Sequence, residues 1–201
     1  MPRSASKSSD LHGNAPDDCP VALLVIDMIN AFEFDGAEKV LPRALKAAKA
    51  IARLKARARQ AGVPVIYVND NFGKWRSDFR TLLEHCLKKK GRPIAELLKP
   101  QREDYFVLKP KHSGFHSTTL DVLLAYLGAR TVVLTGVAAN NCVLFTAHDA
   151  YMRDLHLLVP RDCVASESES VDRYALEHMA KVLKADTAPS AKVEFGSYLS
   201  Q

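Results

Sequence analysis

Thr131-Val132-Val133-Leu134-Thr135-Gly136-Val137-Ala138-Ala139-Asn140-Asn141-Cys142 is the stretch whose reading decides the fold. Its first half is apolar and β-branched, with the length and composition of a strand buried on both faces. Gly136 admits a backbone shape that other residues resist. Asn140 and Asn141 are good N-cap residues. From Cys142 onward, Val143, Ala147 and Ala150 fall at helical spacing. The pattern therefore predicts strand, tight turn and a helix that opens at a cysteine. At a helix N-terminus, free N–H groups and the macrodipole favour negative charge, so this setting predicts a lowered thiol pKa and an enriched thiolate. The same N–H groups suit an oxyanion. The plain alternative is a small buried hydrophobe, a common role for free cysteine.

Working outward, the same alternation recurs. Val21-Ala22-Leu23-Leu24-Val25-Ile26-Asp27 reads as a central strand ending in a carboxylate. A helix is predicted over 38–61, with Leu41, Ala44, Leu45, Ala48, Ile51 and Ala52 on one face and Gly62 as its stop. A second strand covers 63–68 and short helices cover 78–90 and 93–98. A third strand covers 104–108 and an amphipathic helix 118–127. After the opening stretch come a strand at 155–160, a helix at 171–183 and a short last strand near 191–195. Strands alternating with helices, without hairpin turns, imply βαβ units. Right-handed crossovers place helices on both faces. The expected fold is a three-layer α/β/α Rossmann-like domain with a central, mainly parallel sheet of about six strands.

The chain has 201 residues, 47% hydrophobic and 25% charged, which suits one domain with a full core. Residues 1–19 are rich in Ser, Asp, Pro and charge and are expected to be a poorly ordered tail, leaving 20–201 as the domain. The net charge of +5 is modest and its basic residues form no aromatic-interleaved stripe, so no nucleic-acid partner is indicated. No apolar run reaches membrane-span length, and the N-terminus lacks a signal core; the expectation is a cytoplasmic protein with no membrane partner. Cys19, Cys86, Cys142 and Cys163 are widely spaced, without a C-x-x-C pair, and suggest neither zinc ribbon nor disulfide framework.

Three reactive groups share one address. Asp27 ends the first strand, Lys109 ends the third and Cys142 follows the fourth, all at the carboxyl edge where ligands of open α/β sheets bind. An aspartate in that place is otherwise a turn or cap residue.

Val25-Ile26-Asp27-Met28-Ile29-Asn30-Ala31-Phe32 resembles the first motif of the isochorismatase-like cysteine hydrolases. Leu108-Lys109-Pro110-Lys111-His112-Ser113-Gly114-Phe115 is similar to the family's lysine segment, in which the lysine stands four residues before the serine of a Ser-small-Phe triplet. That spacing selects Lys109 over Lys111. Gly136 to Val143, with Thr146-Ala147 and Asp149-Ala150, resembles the nucleophile segment, and Arg161 to Ser166 the strand end beyond it. The match spans roughly residues 20–185 in the family's order.

The resemblance implies a metal-independent hydrolase that cleaves a C–N bond of a small amide, ureido or carbamoyl substrate through a thioester. Asp27 would be the general base, Lys109 the neighbouring cation and Cys142 the nucleophile, with the backbone N–H groups of Ala138 and Cys142 as the oxyanion hole. It also implies a cis peptide at Val137-Ala138, no cofactor, and a homo-oligomer, dimer or tetramer. Metal-binding nicotinamidases carry Asp-x-His after the second strand. Here that place reads Asn69-Asp70-Asn71-Phe72, which points away from a metal and from nicotinamidase activity. The family often has threonine where this chain has Ala139. Phe32, Asn69, Asn71, Trp75 and Phe115 flank the strand ends and are expected as substrate contacts, with core packing the alternative for each aromatic. Two other readings stay open: an isochorismate-type vinyl-ether hydrolase, which needs no thiol, and a non-catalytic thiol sensor.

Overall fold

The structure is a computed structural model that describes residues 15, 17–73, 75, 76 and 78–199. The strands are β1 (Val21–Ile26), β2 (Val65–Asp70), β3 (Tyr105–Lys109), β4 (Thr131–Val137), β5 (His156–Leu158) and β6 (Val164–Ala165). The principal helices are α1 (Ala37–Gln60), α2 (Phe79–Cys86), α3 (Arg92–Leu97), α4 (Leu120–Leu127), α5 (Leu144–Tyr151), α6 (Glu169–Val182) and α7 (Phe195–Leu199). The six strands form one parallel sheet in the order β3-β2-β1-β4-β5, and β6 pairs with β4 beyond the end of β5.

The layers follow from the period-2 geometry of strands. On β1, Val21, Leu23 and Val25 join one core, which includes Ala44, Ile51 and Leu54 of α1 and Ile94 of α3. Ala22, Leu24 and Ile26 join the other, with Leu120 and Leu124 of α4, Ala147 of α5 and Met179 of α6. Both faces of the strand are covered, which is why its sequence is continuously apolar rather than alternating. The same holds for β4, which is buried along its whole length.

The chain runs outward from β1 through β2 to β3, then returns so that β4 lies on the other side of β1. The strand order therefore reverses between β1 and β4, the point at which open parallel sheets leave a crevice. Among the described residues, no helix is long and apolar enough to cross a membrane.

Two strand expectations are corrected. The segment near 191–195 is not a strand: it forms a single-turn 3-10 helix, Ser190–Lys192, and the start of α7. Val193 and Phe195 are buried against the α1 core from that irregular segment, and their spacing mimics strand alternation. The sixth strand is instead β6, whose two residues are too few to show a period. The 155–160 strand shortens to His156–Leu158. The expected tail lies largely outside the described residues. At its end Ala15 and Cys19 are buried, and the Cys19 N–H donates to the Leu127 carbonyl at 2.7 Å.

At Gly136 the backbone of β4 leaves no room for a side chain beside β1. Its φ is +121°, and a Cβ there would lie 1.9 Å from the Ile26 carbonyl oxygen. That oxygen belongs to backbone and has no rotamer by which to escape. Gly136→Ala is therefore expected to destabilise the domain by about 2–4 kcal/mol. Urea denaturation measures it, and an unchanged midpoint would contradict this account of the β1–β4 seam.

Candidate active site

The carboxyl ends of β1, β2 and β3 lie side by side, and the register sets Asp70 directly against Lys109. The Lys109 side chain runs back under this edge with no exposed surface. Its Nζ stands 2.8 Å from Asp27 Oδ2, 3.3 Å from Asp70 Oδ2 and 3.5 Å from Cys142 Sγ. The other oxygen of Asp27, Oδ1, accepts the Asp70 backbone N–H at 2.6 Å. Asp27 has φ +52°, a turn just past the end of the strand. Cys19, Cys86 and Cys163 are buried, whereas Cys142 is half-buried and reaches the surface of this cluster.

The turn that carries Cys142 differs from the expected form. The Val137-Ala138 peptide is cis. From an extended Ala138 the chain enters a π-helical turn, Ala139–Val143, which continues into α5. Neither Asn140 nor Asn141 is the N-cap; Cys142 lies inside the turn, and the Ala138 carbonyl accepts the N–H groups of Asn141 and Val143 at 3.0 and 3.2 Å. Asn140 serves another end, its Oδ1 accepting the Ser166 hydroxyl at 2.9 Å. Thr146 Oγ1 donates to the Cys142 carbonyl at 2.7 Å and accepts the Gly114 N–H at 3.0 Å. The loop after β3 and the thiol-bearing turn are thereby tied together.

Burial sets the electrostatics. It raises the Asp27 pKa, against the pull of the Lys109 charge and of hydrogen bonds from Cys142, Lys109 and Asp70. For Lys109 burial opposes the charge, but Asp27, Cys142 and Asp70 outweigh it and the ammonium is held. The Cys142 thiol is pushed up to about 12, first by burial and then by the Asp27 charge, with Lys109 pulling the other way. This corrects the expected lowering: desolvation and an adjacent carboxylate override the helix-terminus field. At neutral pH the thiol is protonated and needs a base beside it.

The structure places the expected pocket-wall residues differently from one another. Phe32 and Phe115 are buried in the two cores. Asn69 is fully buried, and its Nδ2 donates to the Ile29 carbonyl at 2.8 Å, so it braces the loop after β1. Asn71 caps its own turn through Oδ1 to the Gly73 N–H. Trp75 is 78% exposed. Phe32 and Phe115 go to the core because burying an aromatic ring is favourable where the layers allow it. An apolar recess of about 220 Å³ does open beside the β1 loop, lined by Ala31, Phe34, Phe72 and Leu82. Asp70 is the residue that sequence reasoning missed. Its signal was a second carboxylate at a neighbouring strand end, masked by the asparagines on either side.

Replacing Asp27 by asparagine keeps the shape and removes the charge that, after burial, raises the thiol pKa. Asp27→Asn is expected to move the pH profile of iodoacetamide labelling at Cys142 down by ~1–3 pH units. Peptide mass mapping reads this site apart from the buried cysteines. A profile that stays in place or moves up contradicts the assigned coupling.

Comparisons with known proteins show the family. The Isochorismatase domain model matches residues 21–188. The isochorismatase family protein YaaI of Bacillus subtilis strain 168 is 42% identical over 172 residues, covering 86% of this chain and 95% of that protein. Maleamate amidohydrolase of Pseudomonas putida KT2440 is 29% identical, over 83% of this chain and 79% of its own. The crystal structure of N-carbamoylsarcosine amidase from Thermoplasma acidophilum superposes with a TM-score of 0.67 at 30% identity, covering 87% of this chain and 98% of that one. With its parallel sheet, its matched length and these relatives, the chain belongs to the isochorismatase family of hydrolases.

Proposed function

We propose that this protein is a cysteine amidohydrolase that cleaves a C–N bond of a small amide, ureido or carbamoyl substrate through a thioester on Cys142. The observation that carries the reading is the position of Lys109 Nζ, 2.8 Å from Asp27 and 3.5 Å from Cys142 Sγ. Similarity to a maleamate amidohydrolase and to an N-carbamoylsarcosine amidase supports the substrate class.

Burial raises the Asp27 pKa and so strengthens it as a base, and it stands beside a thiol that burial keeps protonated. As Sγ bonds to the substrate carbonyl carbon, Asp27 takes the thiol proton. The carbonyl oxygen becomes an oxyanion, received by the backbone N–H groups of Ala138 and Cys142. When the tetrahedral species collapses, the C–N bond breaks and the nitrogen leaves with the proton held by Asp27. Asp27 then takes a proton from water, whose oxygen attacks the thioester. The carbon–sulfur bond breaks, the acid is released and the thiol is restored. Lys109 stays protonated throughout, offsetting the charge of Asp27 and, transiently, of sulfur.

Ammonia release from a panel of small amides, ureido acids and carbamoyl compounds tests this. Turnover is expected in the presence of a chelator. Cys142→Ala is expected to lower kcat by at least 10³-fold, the scale of losing a nucleophile from a cooperating set. A variant as active as wild type would overturn the thioester route and favour vinyl-ether chemistry. No release across the panel from folded protein would count against the amide class.

A further inference from the structure

Away from the strand ends, α5 and α6 meet at a pair of histidines that the mechanism does not use. His148 Nε2 and His178 Nε2 stand 3.1 Å apart, with the ring centroids 5.1 Å apart and the rings tilted by 44°. Both side chains are half-buried, so solvent reaches them. Without a bridging atom, one Nε2 must donate to the other. With a metal, both lone pairs are used.

We propose that His148 and His178 form a chelating site for a divalent first-row transition metal, clasping α5 to α6. The bite is right for it. Imidazole nitrogens bind zinc at about 2.0–2.1 Å, so two of them at cis or tetrahedral angles lie ~2.9–3.4 Å apart. The observed separation falls inside that range, so the ion enters with little movement of either helix. Among the described residues, no group of three or more His, Cys, Asp or Glu side chains is placed to hold a metal. The protein supplies two ligands here and water fills the other positions. Imidazole donors suit copper, nickel and zinc, and among these copper binds most strongly.

The surroundings fit a cation. Asp149 follows His148 on α5, although its carboxylate is shared with the Ser113 hydroxyl and the Arg153 guanidinium. On α6, Lys181 is paired with Glu177 at 3.7 Å and does not stand as an isolated positive charge. The site also has a mechanical consequence. α5 continues directly from the π turn that carries Cys142, and α6 packs against that turn. A metal at the clasp would bind the folded state alone and raise its stability.

The test uses the full chain without a histidine tag, melted over a series of nickel chloride concentrations and then with EDTA. The expected result is a saturable rise in Tm of several degrees, reversed by EDTA, with one nickel per chain by calorimetry. His148→Gln and His178→Gln are each expected to weaken binding at least tenfold. His156→Gln, remote from the pair, is expected to bind as wild type does. Absence of a saturable rise, or wild-type binding in either clasp variant, overturns the proposal. If a clasp variant fails to fold, calorimetric stoichiometry on the wild-type chain decides: no nickel bound at millimolar metal overturns it.

Discussion

A lysine ammonium with no exposed surface holds this site together. Burying that charge is tolerable only because Asp27 and Asp70 both reach it, at 2.8 and 3.3 Å. Removal of one partner from such a buried set costs roughly 3–5 kcal/mol, since a charge is left uncompensated. The parallel sheet makes the arrangement affordable. It fixes three adjacent strand ends in register and covers both faces, so the long lysine stem runs through apolar surroundings before its charged tip meets the carboxylates. Gly136 lets β4 come close to the end of β1, and the turn after β4 then delivers the thiol to the same point.

The electrostatics of the cluster favour a particular division of labour. Burial raises both pKa values, which strengthens Asp27 as a base and keeps the Cys142 thiol protonated. In the proposed mechanism the Lys109 cation couples the two, and the proton moves as the carbonyl carbon receives the sulfur electrons. The titration of Asp27 and Cys142 therefore belongs to the pair rather than to either residue. A histidine has no place in this scheme. The histidines that do pair, His148 and His178, lie where α5 and α6 meet.

Much of this was legible in the sequence, for physical reasons. β1 and β4 are buried on both faces, and nothing but a central strand accounts for such continuous apolar runs. Asp27, Lys109 and Cys142 could be placed together because parallel strands all end at one edge, whatever their separation in the chain. The losses are equally physical. β6 has two residues, too few for periodicity. Val193 and Phe195 are apolar for the sake of the α1 core, yet they alternate as a strand would. The thiol was expected to be acidic because a helix terminus is visible in sequence, whereas desolvation and the distance to a carboxylate are tertiary properties. Phe32 and Phe115 sit beside the strand ends in sequence but point into the layers, and Asp70 was overlooked because cross-strand register is invisible in a single chain.

The most direct test of the central claim is intact-mass analysis of enzyme quenched during turnover of a small amide, followed by peptide mapping. The account predicts an added mass equal to the acyl part of the substrate, located on Cys142 and labile to hydroxylamine. Productive turnover without any covalent adduct before the first release of ammonia, or an adduct on another residue, would contradict it.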